Sequence, residues 1–116
     1  MKPNILITLI FLAISSSAFG EEYELRVTSE KAPLSVPFRG VIGHDNQLEI
    51  IESSTPYSTV IDASRITAMF ESVDSSQPLL VELIGELEGE IKVIASFGGS
   101  AGRIIEEPGL RKVSNF

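Results

Sequence analysis

The sequence predicts an all-β domain, specifically a small antiparallel β-sandwich of the immunoglobulin-like kind with about seven strands. Short runs rich in β-branched and aromatic residues alternate with clusters of glycine, proline, serine and asparagine. One run alternates strictly between apolar and polar residues, and two others form a clear hairpin. Because the 116 residues include no cysteine, we expect burial of apolar side chains, without disulfides, to stabilise the fold.

The N-terminal segment has the three parts of a secretory signal peptide. Lys2 supplies the positive start, residues 5–14 are a largely apolar run, and small residues precede a cleavage site after Gly20. This run is too short to span a bilayer, which requires about 20 residues. We therefore expect residues 1–20 to be removed and residues 21–116 to form a single β-rich domain without membrane insertion. An exported domain without disulfides is typical of the bacterial periplasm, and the extracellular space is the alternative.

The first half of this domain contains three predicted strands. Residues 23–28 alternate between apolar and polar side chains, which is typical of a half-buried strand. Residues 38–42 and 47–52 form the next two runs. Residues 43–46, Gly-His-Asp-Asn, separate them and have the composition of a turn. We expect a β-hairpin here.

Residues 55–73 have two interpretations. As strands, residues 56–61 and 66–71 are dense in β-branched and aromatic residues. As a helix near residues 59–72, apolar side chains recur close to one face, and Thr59 with Asp62 resembles a capping box. The helix would make the domain a small α+β fold. We favour the strands, because the neighbouring segments are both β-rich.

The clearest supersecondary unit is a β-hairpin whose two-residue turn is Glu88-Gly89. Continuous alternation pairs Ile84 with Val93 and Leu80 with Phe97. Both faces of this hairpin then carry apolar side chains, which predicts a cover on each side. We expect one cover to be a partner protein or a second copy of the chain, in contact with an exposed patch formed by Leu79, Val81, Leu83 and Ile94.

The C-terminal residues complete the predicted sheet. Residues 98–102 are rich in glycine and predict a hairpin loop, and residues 103–106 predict a short strand. Pro108-Gly109 predicts a turn before a last edge strand within residues 110–116.

Two weak ligand-binding candidates compete with ordinary structural interpretations. His44, the only histidine, and Asp45 have the side chains of a general base and its orienting group, but their context is that of a turn. Arg103 follows the glycine-rich segment and would add charge to an anion cradle. This segment lacks the lysine and hydroxyl pair of a phosphate-binding loop.

The acidic residues around the hairpin do not have the spacing of a calcium loop. Glu82, Glu86, Glu88 and Glu90 are distributed by strand alternation over both faces and the turn. We predict no metal site, catalytic group or cofactor.

The charge balance narrows the choice of partners. The chain has 16 acidic and 9 basic residues, a formal net charge of −7, which disfavours nucleic acid and anionic membranes. We expect a non-enzymatic, exported protein-binding or accessory module. The alternatives are a small-ligand carrier or small hydrolase that uses His44 and Asp45, and an inhibitor of a basic cell-wall-degrading enzyme.

Overall fold

The computed structural model describes residues 21–31 and 35–116, so the predicted signal peptide lies outside the described residues. In these ranges the chain forms nine strands in two antiparallel sheets that pack face to face. The strands are β1 (Glu21–Ser29), β2 (Pro37–His44), β3 (Gln47–Ser54), β4 (Tyr57–Ala63), β5 (Ile66–Ser72), β6 (Leu79–Leu87), β7 (Glu90–Gly99), β8 (Ala101–Glu107) and β9 (Leu110–Asn115).

The four-stranded sheet has the order β4-β1-β6-β7, and the five-stranded sheet has the order β3-β2-β5-β8-β9. Hairpins with two-residue turns connect β2 to β3, β6 to β7 and β8 to β9. The other connections pass from one sheet to the other. The described residues include no helix long and apolar enough to cross a membrane.

The prediction of an all-β, antiparallel sandwich is confirmed, with nine strands in place of about seven. Immunoglobulin-like domains share this architecture of two facing sheets, with four and three strands in the constant-type domains. The predicted hairpin around residues 43–46 and the last edge strand are both present as β2–β3 and β9.

Residues 55–73 form strands β4 and β5, so the alternative helix near residues 59–72 is wrong. In β5, Ile66, Ala68 and Phe70 are buried while the residues between them are exposed. This period of two is the pattern of a strand. Pairing of β4 with β1 and of β5 with both β2 and β8 gives the backbone its hydrogen-bond partners.

The β6–β7 hairpin has the predicted turn and the predicted pairing of Ile84 with Val93. Beyond this pair the register shifts by one residue, at a β-bulge that includes Ile94. Phe97 therefore lies opposite Val81 and not opposite Leu80 as predicted. Because a shift of one residue reverses the side to which side chains point, Phe97 joins Val81 on the same face.

The glycine-rich residues 98–102 do not form a hairpin loop, so that prediction is wrong. Strand β7 continues to Gly99, and Ser100 alone separates it from β8 in the other sheet. Gly99 has a φ of 137°, a conformation open to glycine and rare for other residues. The segment is a sharp corner between the sheets.

Three aromatic rings of the core lie directly over glycines of the sheets. The Phe70 ring covers Gly40, its partner in the β2–β5 ladder, so closely that a methyl group on Gly40 would overlap it. Two other rings also lie close to a glycine: Phe97 covers Gly102 of the facing sheet, and Tyr23 covers Gly85. Glycine at these positions lets a ring approach the backbone of the sheet.

Candidate interaction faces

The predicted contact patch on the hairpin lies in the core. Leu79, Val81 and Leu83 are each 0% exposed, and Ile94 is partly buried and packs against the core. The β-bulge explains the error. It turns Ala95 and Phe97 to the side of the hairpin that carries Leu79, Val81 and Leu83, and this side packs against the other sheet. These side chains are not accessible to a partner.

The structure assigns His44 and Asp45 to different partners. The His44 Nε2 atom lies 2.9 Å from Glu49 Oε2 on the neighbouring strand. Asp45 Oδ1 accepts hydrogen bonds from the backbone N–H groups of Ser64 and Arg65, each at 3.2 Å. Asp45 thus joins the β2–β3 turn to the β4–β5 connection. Its carboxylate does not orient the adjacent imidazole, as the alternative of a small hydrolase that uses both residues would require.

Arg103 lies on the outer face of the five-stranded sheet. Its guanidinium carbon is 5.7 Å from the centre of the Phe116 ring, which is the geometry of a cation–π contact. The buried Nε atom of Arg103 makes no hydrogen bond to a described residue. Because the preceding glycines belong to strands and a corner, they do not form the anion cradle that was the alternative interpretation of this segment.

A buried carboxylate, that of Glu106, lies at one end of the core and is paired with Arg111. Glu106 is 8% exposed and accepts two hydrogen bonds from the Arg111 guanidinium, at 2.7 and 3.0 Å. Tyr23 lies nearby, 5% exposed, and donates a hydrogen bond to Glu21. Burial raises the pKa of Tyr23 above 10, and the negative charges of Glu21 and Glu106 raise it further.

This raised pKa predicts that Tyr23 makes the fold sensitive to alkali. Deprotonation of Tyr23 is less favourable in the folded chain than in the unfolded chain. The stabilisation is therefore complete below pH 10 and is lost as the pH rises, by at most about 1.4 kcal/mol per pH unit. We expect Tyr23→Phe to lose less stability than the wild type between pH 8 and pH 11, measured by urea unfolding. Equal losses in both chains would contradict this account, since other titrating groups are common to both.

The outer face of the four-stranded sheet is strongly acidic. Strand alternation and register place five carboxylates and one arginine on it. Arg26 Nη2 contacts Glu24 Oε2 at 3.2 Å, and burial together with the charge of Asp62 raises the pKa of Glu22. We call this surface the acidic face and define it by Glu22, Glu24, Arg26, Asp62, Glu82 and Glu86.

An apolar centre interrupts the acidic face at the β6–β7 hairpin. Ile84 pairs with Val93, and Ile91 is the next outward residue of β7. Ile91 and Val93 are each 45% exposed. Glu82 and Glu86 flank Ile84 along β6, and Glu24 is its partner on β1. Carboxylates therefore border this apolar centre on three sides.

The outer face of the five-stranded sheet has a continuous apolar patch. Val41 lies between Ile50 and Met69 in the ladder, and Ile50 is 76% exposed. We call this surface the apolar face and define it by Val41, Leu48, Ile50, Met69 and Phe116. A groove of about 300 Å³ crosses it, with Val41, Ile50, Met69 and Phe116 among its lining residues.

The charges of the apolar face balance. Arg39 and Glu71 form an ion pair at 2.7 Å on the rim of the groove. By register, the other outward charged residues of this sheet are Arg103, Lys112, Glu52 and Glu107. Three cations thus accompany three anions on this side of the molecule.

Comparison with protein-family models, curated proteins and solved structures finds no match to this chain. Within residues 21–31 and 35–116, no group of three or more histidine, aspartate or glutamate side chains has the arrangement of a metal site. The acidic face and the apolar face are the candidate interaction sites.

Proposed function

We propose that this chain is an exported, non-enzymatic protein-binding module that binds a partner with a basic surface through its acidic face. One observation carries the proposal: an apolar centre, in which Ile91 and Val93 are exposed and Ile84 is half-buried, is bordered by Glu24 and other carboxylates. The export step rests on the signal peptide predicted for residues 1–20.

The two parts of this surface have separate roles in binding. Burial of Ile84, Ile91 and Val93 supplies the favourable free energy, about 25 cal/mol per Å² of apolar surface removed from water. The surrounding carboxylates select a partner that presents lysine or arginine around an apolar residue, and they accelerate the encounter. A basic cell-wall-degrading enzyme fits this description, in which case the module is an inhibitor or accessory subunit.

A capture experiment with face-specific variants tests the proposal. The full-length chain, with a C-terminal affinity tag, is produced in its native host, and exported proteins are captured with mild crosslinking. Ile84→Ser/Val93→Ser is expected to abolish capture of a basic protein. Glu82→Gln/Glu86→Gln is expected to weaken capture and to reduce its sensitivity to salt.

The matched control changes two exposed apolar side chains on the opposite side of the sandwich, Leu48 and Ile50. Leu48→Ser/Ile50→Ser leaves the acidic face intact, so it is expected to capture the same protein as the wild type. Capture that survives Ile84→Ser/Val93→Ser, or that is lost only in the control, would reject the acidic face as the binding surface. Circular dichroism of each variant establishes that it is folded.

A further inference from the structure

We infer that the apolar face is a contact surface between two copies of this chain, which pack the outer faces of their five-stranded sheets together. This inference concerns the side of the molecule opposite the acidic face, so it stands independently of the proposed function. It rests on the exposure, the charge balance and the size of the face.

The exposure of this face is unusually high for a monomer. Leu48, Ile50 and Phe116 are 70%, 76% and 65% exposed, and Met69 is 40% exposed. Ile50, Val41 and Met69 are direct neighbours across three strands, so the apolar surface is continuous. Continuous apolar patches of this kind on soluble proteins mark interaction sites.

The distribution of charge identifies the occupant as a second copy. Two acidic faces brought together would place five carboxylates from each chain against each other, with one arginine each. The apolar face has equal numbers of cations and anions, so two such faces meet without net repulsion. Of the two sheet surfaces, this is the one at which a chain of net charge −7 associates with itself.

The outer surface of the whole five-stranded sheet, of which the apolar face is a part, sets the largest contact that two copies can form. Five strands spaced about 4.8 Å apart give a width of about 24 Å, and strands of six to eight residues give a length of about 24 Å. The resulting contact is at most about 580 Å² per copy, or about 1,150 Å² in total, close to the lower limit of specific interfaces. We therefore expect a reversible dimer that dissociates on dilution in the micromolar range.

Sedimentation velocity across about 1–300 µM tests the inference. The wild type is expected to change from monomer to dimer with rising concentration. Met69→Lys places one added positive charge from each copy at the centre of the contact, and we expect it to raise the dissociation constant at least tenfold. Val60→Lys is the matched control, because Val60 is 50% exposed on the other sheet, and it should leave the dissociation constant unchanged.

Cysteine variants give a second readout, since the chain has no cysteine of its own. Met69→Cys is expected to form a disulfide-linked dimer under mild oxidation faster than Val60→Cys. A monomer at every concentration, a dimer that is insensitive to Met69→Lys, or a dimer that Val60→Lys disrupts would overturn the inference. None of these results alters the capture of a basic protein by the acidic face, so the two proposals fail separately.

Discussion

Replacement of both Val81 and Leu83 by serine is expected to unfold the domain at 25 °C. Both side chains are 0% exposed and lie at the centre of the four-stranded sheet. Val81 pairs with Val27 and Phe97, and Leu83 pairs with Leu25 and Ala95. Each substitution leaves a cavity and buries a hydroxyl group. Together they are expected to remove more than about 5 kcal/mol, while small domains have only about 5–15 kcal/mol in total.

The control for this prediction changes residues on the outward side of the same hairpin. Ile84→Ser/Val93→Ser makes the same kind of change on the outward side, where Val93 is 45% exposed. We expect this variant to remain folded, with a loss of at most about 1 kcal/mol. Urea unfolding monitored by circular dichroism separates the two double variants. A cooperative transition for Val81→Ser/Leu83→Ser close to that of the wild type would show that the hairpin faces are assigned the wrong way round.

The hairpin also shows what sequence patterns can and cannot predict. Its turn at Glu88-Gly89 is predictable, because a two-residue hairpin turn requires positive φ angles, which glycine adopts readily. The φ angles in the structure are 55° for Glu88 and 82° for Gly89. The β-bulge at Ile94 is not predictable from alternation, since both faces of the hairpin are apolar and either register satisfies the pattern. One inserted residue was enough to place the predicted patch in the core.

Strands β4 and β5 illustrate the opposite case. The residues at 66–72 satisfy a period of two more strictly than a period of 3.6, and the structure follows that pattern in every residue. The corner at Ser100 was missed because a glycine cluster favours a turn without specifying whether the chain returns to the same sheet. Pairing of β8 with β5 decides the sheet to which the chain returns.

The acidity of the candidate site was predictable, but its location was not. Glu24 and Glu82 are distant in the sequence and meet on one face because β1 lies between β4 and β6. Such a strand order depends on contacts between remote segments, which local patterns do not encode. The apolar face has the same origin, since Ile50 and Met69 become neighbours of Val41 only when β2 pairs with both β3 and β5.

Gly40→Ala is expected to destabilise the domain although it adds a single methyl group. A Cβ atom at Gly40 would lie 2.5 Å from Phe70 Cε1 and 2.7 Å from the backbone oxygen of Met69. Phe70 is 2% exposed and fixed in the core, where it also makes an edge-to-face contact with Phe38 at 5.7 Å. The Met69 oxygen belongs to the backbone of β5, so neither neighbour moves without disturbing the sheet.

We expect Gly40→Ala to lose about 1–3 kcal/mol of stability, as is typical of overpacked cores. Gly43→Ala is the matched control on the same strand, because its nearest neighbour would be Leu48 Cδ1 at an ordinary 3.8 Å. Alanine at position 43 lowers the conformational entropy of the unfolded chain, and we expect this effect to raise the stability by about 0.4–1 kcal/mol. Urea midpoints shifted in opposite directions would establish that the Phe70 ring occupies the space that a side chain at Gly40 would need. Equal midpoints for the two variants would mean that the ring does not occupy this position.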